Sequence, residues 1–66
     1  MQAEIKRLAS AIAYELWIEF EAQRITVIGI DEIRAMITTL IPSPLPPEAA
    51  ELLEAHTTRC IVEKVG

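Results

Sequence analysis

The sequence is poor in the residues that stabilise small proteins through cross-links or metals. Its 66 residues include one cysteine, Cys60, and one histidine, His56. A single cysteine excludes a disulfide within the chain, and a structural zinc site needs about four Cys or His ligands. In a chain this short, apolar burial barely offsets the entropy lost on folding. We therefore expect the chain to gain buried area by assembling with another chain.

Other absences exclude further classes of protein. No apolar run approaches the ~20 residues that cross a bilayer, and Glu4, Lys6 and Arg7 interrupt the segment where a signal peptide would have its apolar core. Six Lys and Arg face ten Asp and Glu, so nucleic acid is not an expected ligand. One unpaired thiol and no signal peptide predict a cytoplasmic protein that does not bind membranes.

Hydrophobic residues are abundant, at 52%, and they recur with a helical period. Residues 3–24 are expected to form one long helix, because apolar side chains follow the i, i+3, i+4, i+7 spacing of a single face. These residues are Ile5, Leu8, Ala9, Ile12, Ala13, Leu16 and Phe20. A helix of ~30 Å is as long as a domain of this size is wide. Two short helices could hardly cover more than one of its faces.

Two shorter helices are expected around a proline-rich elbow. The second covers residues 32–41, with Asp31 as its N-cap and Pro42 after its last residue. The third begins at Pro47, since proline suits the first helical position. Its apolar stripe is Ala49, Leu52 and Leu53, followed by His56.

The elbow, residues 42–47, holds all four prolines and contains the PxxP spacing that SH3-like domains bind. Such ligands commonly carry a flanking basic residue, and none lies between Arg34 and Arg59. We therefore interpret the segment as a rigid connection between helices.

Two segments depart from the helical pattern. Residues 25–28 (Ile-Thr-Val-Ile) are β-branched and favour a short strand or an extended link. Residues 60–65 are compatible with helix or strand, and we favour a strand paired with residues 25–28 of the same or another chain. The fold prediction is a mostly α, oligomeric protein with one domain, residues 1–66.

No combination of residues predicts catalysis, a metal or a cofactor. His56 and Cys60 would share one face of a helix, but zinc needs two more ligands and a Cys-His nucleophile needs an orienting third residue. The acidic residues lie mostly opposite the apolar stripes, and only Glu15 and Glu19 lie near the edge of the first stripe. Acid–base catalysis is therefore not expected.

The candidate functional residues lie on the first helix, mostly outside its apolar stripe. They are Tyr14, Trp17 and Ile18, with Phe20 linking them to the core. Large aromatic residues are enriched as anchors in protein interfaces, although the same residues could instead cover the edge of a small core. We predict that Tyr14, Trp17, Ile18 and Phe20 form an interface with a second copy or a larger protein.

The sequence thus predicts a small, acidic, non-enzymatic interaction module that self-associates or serves as a small subunit. An antitoxin-like or transcription-regulatory protein is the alternative, which basic side chains gathered on one face of the oligomer would favour. An enzyme whose site is shared between subunits is a further alternative.

Overall fold

A computed structural model describes residues 2–65, with the side chains of residues 3–64, and these residues form three helices. The helices are α1 (Gln2–Glu21), α2 (Ile30–Leu40) and α3 (Pro47–Val65). The mostly α prediction is confirmed. The domain prediction also includes Met1 and Gly66, which lie outside the described residues.

The first and third helices run parallel. Ser10 of α1 lies against Cys60 of α3, and Trp17, two turns further along α1, lies against Lys64, one turn further along α3. Both helices therefore advance in the same direction, and α2 returns the chain between them. None of the described helices is long and apolar enough to cross a membrane.

The buried cluster forms where the three helices meet. It contains Ile5, Ala9, Ile12, Ala13 and Leu16 of α1, Ile33 of α2, and Leu53 and Ile61 of α3. Two residues of the predicted α1 stripe do not belong to the buried cluster, since Leu8 is 37% exposed and Phe20 is 39% exposed. Leu8 lies at the edge of the stripe, and Phe20 lies in the last turn of α1, where the other helices leave it partly uncovered.

The third helix is longer than predicted, and it includes the segment predicted as a strand. α3 has 19 residues, nearly as many as α1, and it continues through residues 60–65. There is no strand within residues 2–65, and residues 25–28 form a non-helical link. The strand prediction for 60–65 fails because Ile61 packs in the core, and this tertiary contact outweighs the weak helix propensity of the β-branched residues.

Thr57 is a fully buried polar residue whose burial the sequence pattern did not predict. Its Oγ1 donates a hydrogen bond to the carbonyl oxygen of Leu53, at 2.7 Å. Because this bond lies within α3, the hydroxyl group needs no partner from another helix. Thr57 therefore continues the buried stripe from Leu53 to Ile61.

The start of α2 differs from its prediction, whereas the start of α3 agrees with it. α2 begins at Ile30, and its N-cap is Gly29 rather than Asp31. The Glu32 carboxylate accepts a hydrogen bond from the N–H of Gly29 at 2.8 Å. Gly29 has no side chain to return a bond, so this is one half of a capping box. Pro47 is the first residue of α3, as predicted.

We expect Glu32→Ala to lower the free energy of unfolding by about 0.5–2 kcal/mol, because the N–H of Gly29 loses its acceptor. Asp31→Ala is the matched control. It removes an acidic residue from the same helical turn without breaking a hydrogen bond, and should cost about 0.3 kcal/mol. Urea denaturation measures both losses. Equal losses would mean that the helix dipole, rather than the cap, accounts for the effect of Glu32.

Candidate interaction surface

Trp17 and Phe20 lie side by side near the C-terminal end of α1. Their ring centroids are 5.7 Å apart, and the ring planes are inclined by 32°. The three-residue spacing brings them to one side of the helix. Aromatic rings at this separation attract each other beyond the effect of area burial. Two of the four predicted interface residues therefore form one cluster.

An open apolar cavity of about 390 Å³ borders this pair. Its lining residues, which we call the aromatic groove, are Trp17, Phe20, Thr26, Val27, Ile28 and Ile61. None of these side chains carries a charge. Val27 is 60% exposed and Phe20 is 39% exposed, so the groove offers apolar surface to another molecule.

The link between α1 and α2 brings Val27 beside the end of α1. Gln23 adopts the left-handed conformation, with φ of 63°, which commonly ends a helix and turns the chain back. The N–H of Arg24 then donates to the carbonyl oxygen of Glu19 at 2.9 Å. Their side chains also pair, with Arg24 Nε 2.6 Å from Glu19 Oε2. One backbone hydrogen bond and one ion pair therefore fix the start of the link, just before Val27 reaches the groove.

From α3, Ile61 lines another side of the groove. Ile61 is buried there, and the ammonium group of Lys64 lies 5.9 Å from the centroid of the Trp17 ring, within cation–π range. Trp17 is consequently half-buried. Ile61 and Lys64 were missed as neighbours of Trp17 because α3 was expected to end earlier. The available signal was the i, i+4, i+8 spacing of Leu53, Thr57 and Ile61.

The structure does not place Tyr14 and Ile18 in the aromatic groove. Tyr14 is 58% exposed and borders a neighbouring depression beside Lys64 and Glu63. Ile18 is half-buried and does not line the groove. On a helical wheel both residues lie on the side of α1 that points away from the buried stripe. The four predicted interface residues thus separate into a groove pair and two outward-facing residues.

His56 and Cys60 lie on one face of α3, and both are half-buried. They line a shallow depression of about 250 Å³ with Lys6, Ser10, Arg59 and Glu63. The Sγ atom of Cys60 is 3.9 Å from the Oγ atom of Ser10. Within residues 2–65, no three His, Cys, Asp or Glu side chains come together as a metal site would require.

We expect Cys60→Ala and His56→Gln each to change the free energy of unfolding by less than about 1 kcal/mol, because each side chain is only half-buried. A chelator should leave the melting temperature unchanged. Calorimetry and metal analysis test these expectations. One zinc ion per chain in protein purified without added metal would contradict them.

The proline elbow borders a further depression, of about 450 Å³, between α2 and α3. Pro42 and Pro44 line it together with Ile37 and Leu45. Residues 41–46 connect α2 and α3, at the place where the sequence predicted a rigid elbow. The ion pair of Arg34 and Glu54, at 3.1 Å, also borders this depression.

Several basic side chains have acidic neighbours. Arg24 and Arg34 are both paired with glutamates. Lys6 and Arg59 share their depression with Glu63. These acidic neighbours lower the local positive potential, which is unfavourable for contacts with phosphate groups.

No protein-family model matches this chain, and neither a curated protein nor a solved structure is found to be similar to it. Its function is therefore inferred from the chemistry of its surface.

Proposed function

We propose that this protein is a small, non-enzymatic protein–protein interaction module that acts through the aromatic groove. It either self-associates or serves as a small subunit of a larger assembly. The observation that carries this proposal is the uncharged groove with its exposed Phe20 and Val27. Contiguous exposed apolar surface marks interaction sites, and aromatic residues in such surfaces commonly supply most of the binding energy.

The depression beside His56 and Cys60 gives little support for a catalytic role. It measures about 250 Å³, which is below the usual range of ligand pockets, and it is open to solvent. A nucleophile and a base must also be aligned by a third group, and the spacing of these two residues alone does not provide one. The single unpaired thiol supports a reducing, cytoplasmic location as part of this proposal.

Sedimentation of the purified chain, alone and in an extract of the cells that produce it, tests the proposal. We expect the 7.4 kDa chain to sediment as part of a larger complex in at least one of these conditions. Phe20→Glu should abolish that complex. Leu52→Glu should preserve it, because Leu52 is similarly exposed, at 44%, and lies outside the groove. A chain that sediments as a monomer in both conditions would contradict the proposal, and so would equal effects of the two substitutions.

A further inference from the structure

The shortest helix, α2, is packed less closely than α1 and α3. We infer that α2 is a cover that opens as one unit, by local unfolding, while α1 and α3 remain packed against each other. Opening uncovers the part of the buried cluster that α2 shields from solvent. No residue that lines the aromatic groove belongs to α2, so this opening is independent of the proposed function.

The first support is the small share of the buried cluster that α2 supplies. Of the eight buried hydrophobic residues in the described part of the chain, seven lie in α1 or α3 and one, Ile33, lies in α2. The rest of the α2 stripe is less well covered, since Met36 and Ile37 are half-buried and Leu40 is 43% exposed. Segments with few buried apolar contacts open at the lowest free energy. α2 therefore loses less burial than the other helices when it separates.

The second support is the loose contact between α2 and α3. The open depression of about 450 Å³ lies between these helices, and Ile37 lines it. The ion pair of Arg34 and Glu54 links the two helices at this depression, but the Arg34 side chain is 62% exposed. Exposed ion pairs contribute little to stability. Neither apolar packing nor charge therefore holds α2 firmly to α3 at this place.

The contacts between α1 and α3 do not depend on α2. Ser10 lies against Cys60, and the ammonium group of Lys64 lies over the ring of Trp17. These two contacts are about two turns apart along α1, and none of the four residues belongs to α2. The pair of long helices can therefore stay together while α2 is open.

The length of α2 makes its opening cooperative. An isolated helix of fewer than about 12–15 residues is marginal in water, and α2 has 11 residues. α2 therefore stays helical only while it is packed against α1 and α3. Separation breaks its internal hydrogen bonds together, rather than one at a time from its ends. The backbone N–H groups of residues 34–40 should then exchange with solvent through one shared opening.

Hydrogen exchange of the full chain, followed by NMR, tests this opening. We expect residues 34–40 to share one protection factor, at least about tenfold lower than that of the slowest amides of α1 and α3. Urea below the unfolding transition should accelerate their exchange less steeply than that of the slowest amides, because opening α2 exposes less surface than unfolding the whole chain.

Two matched substitutions separate the opening of α2 from global unfolding. Ile33→Val weakens a contact that both events break, so exchange should accelerate by about 2–12-fold in all three helices. Ile61→Val removes the same methyl group from α3, at a residue that is 8% exposed against 3% for Ile33. Ile61 lines the aromatic groove with Trp17 and Phe20 and stays packed when α2 opens. It should accelerate only the slowest amides of α1 and α3, and change residues 34–40 by less than about 1.5-fold.

Equal protection of residues 34–40 and of the slowest amides of α1 and α3 would overturn this unit opening, because α2 would then open only with the whole chain. Acceleration of residues 34–40 by Ile61→Val to the same extent as α1 and α3 would do the same, and so would their insensitivity to Ile33→Val. Exchange rates that fall steadily from the ends of α2 towards its centre would also contradict it, since they indicate fraying.

Discussion

Leu53→Ala is expected to lower the free energy of unfolding by about 2–5 kcal/mol. Leu53 has no exposed surface, and neither has Ile12 in the same cluster. The substitution removes apolar contacts and leaves a cavity that the neighbouring helices can fill only in part. A domain of 66 residues has a total stability of roughly 3–10 kcal/mol. We therefore expect the variant to be largely unfolded, or close to it, at room temperature.

Leu52→Ala is the matched control, since it changes the adjacent leucine, which is 44% exposed. It should cost less than about 1 kcal/mol. Ile12→Ala and Leu16→Ala should resemble Leu53→Ala, because both positions are buried in α1. Urea denaturation followed by circular dichroism measures all four variants. Similar losses for Leu52→Ala and Leu53→Ala would show that the packed face of α3 has been misassigned.

The first helix was predictable because its apolar pattern persists over several turns. The repeat from Ile5 to Leu16 is consistent with only one helical face, and all five residues that the structure buries in α1 belong to it.

The cap of α2 was less predictable. Either Gly29 or Asp31 can cap a helix, and the choice depends on the hydrogen bond from Gly29 to Glu32, a detail of backbone geometry.

The candidate site was only partly predictable, because some of its residues come together only through tertiary structure. Trp17 and Phe20 are three residues apart, so their proximity follows from helical geometry alone. Val27 and Ile61 reach the groove through tertiary structure. Val27 depends on the reversal at Gln23, a non-glycine residue in the left-handed conformation, and Ile61 depends on the full length of α3. Intrinsic propensity does not indicate the reversal at Gln23, and the length of α3 is indicated only by the i, i+4, i+8 spacing of Leu53, Thr57 and Ile61.

The C-terminal half of α3 is where local preference and structure disagree most. The strand prediction rested on β-branched residues such as Ile61 and Val62, which have low intrinsic helix propensity. That preference amounts to a few tenths of a kcal/mol per residue, whereas burying one isoleucine contributes about 1.5–3 kcal/mol. Ile61 is 8% exposed in the helical conformation. Packing against α1 therefore decides the conformation of this segment.

Arg59→Pro should consequently lower the free energy of unfolding by about 3 kcal/mol or more. Arg59 is exposed and lies well inside α3, so its side chain contributes little to packing. Proline removes the backbone N–H that bonds to the carbonyl of Ala55 and clashes with the preceding turn. Far-UV circular dichroism should show less helix, and the emission of Trp17 should change as α3 separates from α1. A variant of wild-type stability would mean that α3 ends before Arg59.

Val62→Ala tests whether the same end of the chain is helix or strand, because the free energy of unfolding should rise in one case and fall in the other. Val62 is 62% exposed, so the substitution removes little buried surface and reports mainly on backbone preference. In a helix, alanine is favoured over valine by about 0.5 kcal/mol, and stability should rise by that amount. In a strand, alanine is disfavoured and stability should fall. Because α3 supplies Ile61 and Lys64 to the surroundings of Trp17, a gain would also support the helical segment on which the aromatic groove depends.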